Sequence, residues 1–499
     1  MSAPTRITHF VDGRPWDGPA GRTAPVYNPA TGERTAAVDL APAELVGAAV
    51  ASAKAAWAEW RDLSLAKRVR VLFAFRELLD ARKEEIAALI TAEHGKVASD
   101  ALGEVTRGLE VAEFACGIPH LLKGGYSENA STRLDVHSVR QSLGVVAVIS
   151  PFNFPAMVPM WFVPLALACG NAVVLKPSEK DPSAPLALAA LWKEAGLPDG
   201  VLQVVNGDKE AVDVLLRHED VKAVSFVGST PIARYVYETG AAHGKRVQAL
   251  GGAKNHMLVL PDADLDLAAD AAVNAGFGSA GERCMAISVL VVVEPVADEL
   301  VARITERMRA LRTGDGTRGC DMGPLVTRAH RDKVASYLDA GVKAGAVLLA
   351  DGREGGFDAD GDGFFLAPTL FDHVDPGMPV YTDEIFGPVL SVVRVASYEE
   401  GLALINANPY GNGTAIFTHD GGAARRFENE VEAGMVGINV PVPVPVSYFS
   451  FGGWKNSLFG DSHAHGVEGV HFFTRGKVVT SRWPDPGHGG LDLGFPRND

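Results

Sequence analysis

The sequence predicts an α/β protein centred on a doubly wound, largely parallel sheet, with a second α/β domain and a small antiparallel element. Two series of apolar, strand-like segments alternate with helical segments, which is typical of parallel strands joined by crossover helices. The segment 144–175 carries no charge, as expected for strands and helices buried on both faces. A polar, alternating stretch at 131–144 indicates the antiparallel element.

Composition allows a large core and limits the partners. Hydrophobic residues make up 47% of the 499 residues and charged residues 21%, so we do not expect a disordered chain. The formal net charge of -15 disfavours a nucleic acid or an anionic membrane as partner, because both are negatively charged. The four cysteines show no CxxC or Cys/His spacing, so we predict neither a disulfide framework nor a metal site.

The uncharged segment 144–175 raises the question of a membrane span. It contains prolines that would break a spanning helix, at Pro151, Pro155, Pro159 and Pro164. We interpret it as a buried strand, a turn, a buried helix and a second buried strand. The first residues lack a charged region followed by an apolar stretch, so we expect no signal peptide and a cytoplasmic location.

Helical spacing dominates residues 42–123, after an opening of short strands and turns. The first strand series is then predicted at GVVAVIS, NAVVLK, GVLQVVNG, VKAVSFVG and KRVQALGG. A second series follows at HMLVL, SVLVVVE, GAVLLADG and PVLSVVRV, so we place a domain boundary near Gly251–Gly252. The tail from Pro484 is rich in glycine, proline and aspartate and is expected to lie on the surface.

Two motifs resemble ligand-binding loops but lack the required context. GFGSAG (276–281) matches a dinucleotide fingerprint, but a helical pattern precedes it where that fingerprint needs a strand. DADGDGF (358–364) begins like a calcium loop, but Thr369 stands where the loop needs a glutamate. We therefore predict no phosphate loop at the first motif and a solvated acidic turn at the second.

Polar residues follow three predicted strands, at the ends where open α/β sheets bind ligands. Asn153 lies in a turn after the first strand, and Lys176 and Glu179 follow the second, where they suit a ribose of NAD better than the phosphorylated ribose of NADP. Ser229 and Thr230 open a helix as hydroxyl caps, and the N–H groups of such a helix start suit a pyrophosphate. Taken singly, each feature is more typical of an ordinary cap or a solvated loop, but together, at successive strand ends, they favour a nucleotide site.

Cys284, in SAGERCMAIS, is the candidate catalytic cysteine. Cys116 and Cys169 lie on apolar helical patterns and are interpreted as small buried residues, and Cys320 lies on a polar loop. Small residues before Cys284 allow close approach of a ligand, and the positive charge of Arg283 would lower the pKa of the thiol. Because a neighbouring side chain can equally point away, position alone leaves a nucleophile and a buried filler both open.

Seven motifs, in order between residues 150 and 453, resemble the aldehyde dehydrogenase superfamily: SPFNFP, LKPSE, FVGST, GERCMA, EIFGPVL, NPYGNGTAIFT and FSFGG. The resemblance implies the aldehyde dehydrogenase fold, a nucleophilic thiol at Cys284 and an oxyanion hole formed by the Asn153 amide and the backbone N–H of Cys284. It implies that Glu384 and Phe386 hold the nicotinamide ribose and ring of NAD. Further NAD-binding residues are expected at Ser150, Phe152, Lys176, Glu179, Lys180, Ser229 and Gly251.

The resemblance also implies the reaction, in which a thiolate adds to an aldehyde, hydride passes to NAD and a thioester remains. Hydrolytic members carry a glutamate in ELGG, where this chain has Ala249. Without that general base water attacks a thioester poorly, whereas the thiol of coenzyme A needs less help. The segments RGLEVAEFACG, AKNH, NVPVPVPV and FGGWKNSLFGD resemble CoA-acylating methylmalonate-semialdehyde dehydrogenases, which convert malonate and methylmalonate semialdehydes to acetyl-CoA and propionyl-CoA with release of CO2.

Such a substrate carries a carboxylate, which a guanidinium group binds well. The resemblance points to Arg107 and Arg283 as its clamp, although the pattern around Arg107 alone is that of a solvated helix face. Three features depart from the subfamily: Glu282 stands where glutamine is usual, Trp454 where a small or polar residue is usual, and Leu250–Gly251–Gly252 follows the general superfamily. Glu282 would offer a hydrolytic base only if it faced Cys284, and we expect it to face elsewhere.

The domain organisation implied by the resemblance is discontinuous. An NAD-binding domain takes residues 1–124, 145–250 and 437–470, and a catalytic domain takes 251–436. Residues 125–144 and 471–486 form an oligomerisation element of a homotetramer or homodimer, and 487–499 form a tail. Two alternatives remain, namely an NAD-dependent aldehyde dehydrogenase that releases a free acid and a catalytically inactive binding protein with the same fold.

Overall fold

The largest sheet supports the strand ends at which we predicted ligand binding. The structure, a computed structural model, describes residues 4–483. From edge to edge the eight strands of this sheet are Leu458–Phe459, Arg246–Leu250, Val221–Val227, Val145–Ile149, Ala172–Lys176, Leu202–Val204, Phe10–Val11 and Arg14–Pro15. The five that correspond to the predicted first series are parallel, and the short outer strands are antiparallel. The predicted first strand series is therefore confirmed.

The strand order of this sheet reverses between Val145–Ile149 and Val221–Val227. The next two parallel strands after Val145–Ile149 lie on one side of it, and the last two lie on the other side. Such a switch point opens a crevice at the carboxyl ends of the strands, where doubly wound sheets bind ligands. Asn153 and Ser229 follow the two strands that flank this crevice.

A second sheet, of seven strands, begins just after the first one ends. Its strands in order are Val347–Ala350, Thr369–Asp372, Val389–Val395, Ile287–Val293, Asn255–Val259, Gly413–Phe417 and Met435–Ile438. All neighbours are parallel except the edge strand Val347–Ala350. The four predicted strands of the second series are confirmed. The domain limits remain a prediction, although the chain does pass from one sheet to the other between Leu250 and Asn255.

The uncharged segment folds as the sequence indicated. It forms the strand Val145–Ile149, the helix Met157–Ala168 and the strand Ala172–Lys176, and every residue of that helix is buried. Helices from the helix-rich region pack against it and remove it from water. Among residues 4–483, no helix is both long and apolar enough to cross a membrane.

The remaining helices cover the two sheets. They are Ala43–Asp62, Leu65–Ala81, Lys83–His94, Ala98–Cys116, Ile118–Leu121, Ser183–Glu194, Lys209–Arg217, Thr230–Ala242, Leu265–Phe277, Ala297–Ala310, Arg328–Ala344, Pro379–Thr382, Tyr398–Ala407, Gly421–Glu430 and Gly466–Phe472, with a 3-10 turn at Gly278–Gly281. The motif GFGSAG thus follows a helix, as expected, and not a strand.

A separate three-stranded sheet contains the predicted antiparallel stretch. Leu134–Ser142 pairs with Tyr126–Ser131 on one side and with Thr474–Arg482 on the other, both antiparallel. Two smaller sheets complete the structure, formed by Thr5–Ile7, Glu33–Asp39 and Thr23–Asn28 and by Tyr410–Gly411 and Trp454–Lys455. The predicted tail from Pro484 lies outside the described residues.

Candidate active site

A cavity of about 510 Å³ lies where the carboxyl ends of the first sheet meet the amino ends of the second. Its wall includes Asn153, Ser229, Cys284, Glu384 and Phe386, which are far apart in sequence. Asn153 and Ser229 follow strands of the first sheet, whereas the other three precede strands of the second. The fold therefore brings the predicted thiol, its predicted amide partner and the predicted nicotinamide-binding residues to one cavity.

The backbone before Cys284 is held in an unusual conformation. Ser279, Ala280 and Gly281 all have a positive φ, of 52°, 51° and 73°. A β-carbon on Gly281 would lie 2.1 Å from the carbonyl oxygen of Gly387, so only glycine fits there. A non-glycine residue with a positive φ costs free energy, and such residues cluster at functional sites.

Two asparagines hold the cysteine from behind. The side-chain amide of Asn255 donates to the carbonyl oxygen of Cys284 at 2.9 Å, and that of Asn412 donates to the same oxygen at 3.0 Å. Both lie in the motifs AKNH and NPYGNGTAIFT, but no pattern in the sequence connects them with Cys284. These two hydrogen bonds to one carbonyl oxygen hold the main chain of Cys284 in place.

The thiol of Cys284 is protonated in this environment. Burial raises its pKa to about 12, and the nearby Glu384 carboxylate adds to the increase. Arg283 lowers the pKa, as the sequence suggested, but its effect is smaller than either. The guanidinium of Arg283 instead donates to Asp100 at 2.6 Å, which offsets its charge.

Asn153 is anchored at both of its ends. Its side-chain Nδ2 donates to the carbonyl oxygen of Glu282 at 3.0 Å, and its own carbonyl oxygen accepts from Lys96 Nζ at 2.7 Å. Lys96 also forms a buried ion pair with Glu104, whose second oxygen accepts from the backbone N–H of Ala156 at 2.8 Å. The sequence did not reveal this support, because nothing in a helical pattern marks one lysine and one glutamate as buried partners.

The helix Thr230–Ala242 begins at the cavity without a side-chain cap. Ser229 occupies the cap position, but its side chain makes no capping hydrogen bond, and the Thr230 hydroxyl accepts from the backbone N–H of Gly252 at 2.8 Å. The prediction that the Ser229 and Thr230 hydroxyls cap this helix is therefore wrong. Ser229 and Thr230 both line the cavity. Pro231 has no backbone N–H and that of Ile232 donates to the Ser229 carbonyl at 3.0 Å, so the N–H of Thr230 is the one that this helix start can offer to the pyrophosphate of a dinucleotide.

Glycines allow Glu384 to approach the turn between the two sheets. One Glu384 oxygen accepts from the backbone N–H of Ala253 at 2.9 Å, and a β-carbon on Gly252 would lie 2.1 Å from the other. A β-carbon on Gly251 would lie 2.8 Å from the carbonyl oxygen of Asn456. Burial raises the pKa of Glu384 to about 6, so its carboxylate is largely ionised at neutral pH and can accept bonds from ribose hydroxyls.

Other predicted NAD-binding residues lie near the cavity wall. Phe152 lines the cavity, with the Lys180 ammonium 4.3 Å from its ring centroid. Lys176 is buried 3.6 Å from the Glu179 carboxylate, and burial lowers the pKa of this lysine. Ser150 is buried and its hydroxyl has no hydrogen-bond partner among the described residues, so it is available to a ligand.

The two predicted clamp arginines are not brought together. Arg283 lines a narrow crevice with Cys284, whereas Arg107 lines a separate one with Trp161 and His465. Arg107 donates to Glu110 at 2.7 Å and to a backbone carbonyl. Each guanidinium is thus already engaged with a carboxylate that a substrate would have to displace.

Ala249, where this chain differs from hydrolytic members, and Glu282 and Trp454, where it differs from the subfamily, have different surroundings. Ala249 is fully buried within the strand Arg246–Leu250. Glu282 is also fully buried, and its carboxyl group lies beside two histidines. Trp454 is half exposed and pairs with Gly411, next to the cavity residue Tyr410.

Comparison with known proteins places this chain in a family. The model of the aldehyde dehydrogenase family matches residues 16–479. The chain therefore belongs to the aldehyde dehydrogenase family, and its α/β architecture is the fold of that family.

Individual relatives are similar to this chain over nearly their whole length. The chain is 56% identical to a malonate-semialdehyde dehydrogenase of Pseudomonas aeruginosa over 95% of its own length and 96% of the relative. It is 50% identical to malonate-semialdehyde dehydrogenase 3 of Geobacillus kaustophilus, covering 97% of this chain and all (100%) of that one.

Two solved structures are similar throughout. A methylmalonate-semialdehyde dehydrogenase of Sinorhizobium meliloti, crystallised with NAD, superposes with a TM-score of 0.96 at 52% identity, covering 98% of this chain and 100% of that one. A methylmalonate-semialdehyde dehydrogenase of Oceanimonas doudoroffii gives a TM-score of 0.95 at 54% identity, with coverages of 97% and 99%.

Proposed function

We propose that this chain is an NAD-dependent, CoA-acylating dehydrogenase of malonate semialdehyde, methylmalonate semialdehyde or both. One observation carries the proposal: Cys284, Asn153, Glu384 and an uncapped helix start share one cavity, while Ala249 stands where hydrolytic relatives place their base. The names of the relatives described above support the choice of substrate.

The first half of the reaction uses the Cys284 thiol and the Asn153 amide. Once the thiol has lost its proton, its sulfur adds to the aldehyde carbon and the carbonyl oxygen becomes negatively charged. Asn153 spends one N–H on Glu282, and its second N–H, with the backbone N–H of Cys284, is available to that oxygen. An oxyanion-hole donor of this kind is worth about 2.7–4 kcal/mol. NAD, when bound, supplies the hydride acceptor, and the product on Cys284 is a thioester.

The second half transfers the acyl group. The thiol of coenzyme A attacks the thioester, and Cys284 leaves as a thiol or thiolate. The substrate carboxylate departs as CO2, so malonate semialdehyde, NAD+ and coenzyme A give acetyl-CoA, CO2 and NADH. Methylmalonate semialdehyde gives propionyl-CoA by the same sequence. Arg283, adjacent to Cys284, is proposed to bind the carboxylate once it releases Asp100. Arg107 lines a different crevice and would have to leave Glu110 and move toward Arg283 to act as the second member of the clamp.

The enzyme is proposed to assemble as a homotetramer or homodimer through the three-stranded sheet. This sheet carries large apolar side chains that are mostly exposed in the single chain, namely Tyr126 at 65%, Val478 at 70% and Trp483, just after its last strand, at 81%. Apolar groups exposed to this extent favour burial against another copy. Sedimentation analysis showing only a monomer would contradict this assembly.

The test of function is a product analysis. The protein is incubated with NAD+ and either semialdehyde, with and without coenzyme A, and the products are identified by mass spectrometry. With coenzyme A present we expect continuous formation of NADH together with acetyl-CoA or propionyl-CoA. Without coenzyme A we expect at most about one NADH per active site, because the thioester stays on Cys284, and with Cys284→Ala we expect no NADH. A free acid without CoA thioester would contradict the proposal in favour of a hydrolytic dehydrogenase, and NADH formation equal to that of Cys284→Ala would indicate an inactive protein.

A further inference from the structure

A buried cluster lies behind the loop that carries Cys284. The Glu282 carboxyl group is 3.8 Å from Nε2 of His94 through one oxygen and 3.6 Å from Nε2 of His330 through the other. The oxygen near His330 also accepts from the backbone N–H of Val326 at 3.4 Å. Glu282 and His94 have exposed fractions of 0%, so bulk water cannot hydrogen-bond to their polar atoms.

The cluster connects three segments of the cavity wall. The main-chain carbonyl of Glu282 accepts the Asn153 amide at 3.0 Å. The His94 ring stacks on Phe152, with centroids 6.0 Å apart, and His330 Nε2 lies 2.7 Å from the carbonyl oxygen of Phe386. A change in the position of Glu282 would therefore shift the Asn153 amide directly. It would also affect Phe386, at the proposed nicotinamide site, through His330.

Two buried polar atoms in the cluster face each other without a partner. Among the described residues, the Glu282 oxygen nearest His94 accepts and donates no hydrogen bond, and neither do the ring nitrogens of His94. Leaving such atoms unpaired costs free energy. A proton on Glu282 satisfies both, because a carboxylic O–H can donate to the lone pair of a neutral imidazole once the carboxyl group rotates to within about 3 Å.

We propose that Glu282 is a positioning residue that works in its protonated form. Its O–H donates to Nε2 of His94 while its other oxygen accepts from Val326, and this cross-link holds the loop whose carbonyl orients the Asn153 amide. Loss of the proton leaves a buried carboxylate without a positive partner. That carboxylate keeps a bond to His94 only if the ring proton moves from Nδ1 to Nε2, and the hold on the loop is weakened. The inference rests on the proposed function for its kinetic readout alone.

The surroundings favour the protonated form. Burial raises the pKa of Glu282 to about 8, and the hydrogen bond from Val326 and the more distant Lys180 and Lys96 oppose this only in part. Lys96 is already paired with Glu104. Burial also lowers the pKa of His94 and of His330, so neither neighbour supplies a compensating positive charge at neutral pH.

The kinetic test compares Glu282→Gln with Glu282→Ala. Glutamine keeps the shape, a donor and an acceptor at every pH, so kcat at neutral pH should stay within about threefold of the wild type. The ratio of the Glu282→Gln rate to the wild-type rate should be constant below about pH 8 and then rise about tenfold per pH unit, since only the wild type loses its proton. Glu282→Ala should lower kcat about tenfold or more at all pH values, with KM for NAD changed less than about threefold.

Infrared difference spectroscopy gives a second readout that needs no turnover. The spectrum of the wild type minus that of Glu282→Gln should show the C=O band of one protonated carboxyl group, which disappears with a midpoint near pH 8. The buried carboxyl groups of Asp181 and Glu104, whose pKa values burial also raises, cancel in this difference. His94→Phe, which keeps a ring against Phe152 but removes the acceptor, should shift this band.

Three results would overturn the inference: equal losses in Glu282→Gln and Glu282→Ala, a rate ratio that does not change with pH, or a difference spectrum without the band. Failure of the proposed function looks different. In that case the wild type makes no CoA thioester from either semialdehyde, while the band of Glu282 is still present, and the rate comparison is made with whichever aldehyde the wild type oxidises.

Discussion

Lys96 and Glu104 form an ion pair of 2.7 Å that is fully buried behind the turn carrying Asn153. Lys96 also donates to the carbonyl oxygen of Asn153, and Glu104 accepts from the N–H groups of Ala156 and Met157 at the start of the next helix. The turn that presents the proposed oxyanion-hole amide therefore depends on two charges that have no direct contact with the cavity.

Breaking this pair should damage both stability and turnover. We expect Lys96→Met to lower the free energy of unfolding by about 3–5 kcal/mol, because it leaves the Glu104 carboxyl group buried alone. Burial already raises the pKa of Glu104 while Lys96 lowers it, so in the variant the pKa rises further. A carboxyl group with a raised folded-state pKa stabilises below its unfolded pKa and loses that contribution as pH rises, so the destabilisation relative to the wild type should grow as pH rises above the folded-state pKa of Glu104 in the wild type.

Denaturant unfolding followed by fluorescence measures this effect, with kcat measured in parallel. Arg22→Ala is a matched control, because Arg22 pairs with Asp208 on the surface with both side chains more than a third exposed. It should change the free energy of unfolding little, because exposed ion pairs are screened by water and salt. Equal losses in the two variants would show that the buried pair has no special role.

Asn153→Ala should lower kcat by about 100- to 1,000-fold, which corresponds to the loss of one oxyanion-hole donor. KM for NAD should change little, because the amide acts on the substrate oxygen. Steady-state kinetics of NADH formation measures both values. Asn429→Ala is the control, since the Asn429 amide lies on the surface and bonds only a helix carbonyl among the described contacts. A rise in KM with unchanged kcat would contradict an oxyanion-hole role.

Gly252→Ala should weaken NAD binding. A β-carbon there would lie 2.1 Å from a Glu384 oxygen, so the carboxylate has to move and loses its bond from Ala253. We expect KM for NAD to rise about tenfold, a cost of one charge-assisted hydrogen bond. Gly47→Ala, in the helix Ala43–Asp62 with no atom near the added β-carbon, should leave KM unchanged and slightly stabilise the fold. Titration of NAD by calorimetry gives an independent measurement.

The Cys284 thiol should react slowly with alkylating agents at neutral pH. Burial raises its pKa to about 12, and only the thiolate is nucleophilic, so the alkylation rate should rise about tenfold per pH unit from pH 7 to pH 10 without reaching a plateau. Peptide mass spectrometry after iodoacetamide treatment separates Cys284 from the buried Cys116 and Cys169. A plateau below about pH 9 would mean that the resting enzyme already holds a thiolate.

Arg283 should discriminate between charged and neutral aldehydes. Arg283→Met should lower kcat/KM for malonate semialdehyde by about 10- to 100-fold, the value of a hydrogen bond to a charged group, and should leave propanal nearly unchanged. Asp100→Asn removes the carboxylate that now binds Arg283, so KM for the semialdehyde should fall. Arg107→Met tests the second arm in the same assay. An equal loss with both aldehydes would assign Arg283 a structural role.

The strands of the first sheet and the helix inside the uncharged segment were predictable because their patterns are local. Apolar runs of about four to seven residues between turn residues are typical of buried strands, so the pattern alone predicts them. The strands Thr369–Asp372, Gly413–Phe417 and Met435–Ile438 were not predicted. They are short, and they become strands only because other strands pair with them. Thr369–Asp372 pairs with Val389–Val395, Gly413–Phe417 pairs with Asn255–Val259, and Met435–Ile438 pairs with Gly413–Phe417.

The candidate site was only partly accessible from sequence. The resemblance pointed to Cys284, Asn153 and Glu384, which line one cavity. The two asparagines behind Cys284 and the cluster at Glu282 were missed, because a buried polar contact depends on which distant side chain arrives opposite it. No periodic pattern records such a meeting.

The sequence by itself determined the family, the parallel sheet and the residue types available for thiol chemistry, since these follow from local patterns and ordered motifs. The tertiary structure decided their electrostatic states. Burial outweighs Arg283 and keeps the Cys284 thiol protonated, and it also keeps a proton on Glu282. The physical reason is that desolvation and the approach of distant charges depend on the packed fold. The sequence shows which charged residues are neighbours along the chain, but not how deeply a group is buried or which distant charges reach it.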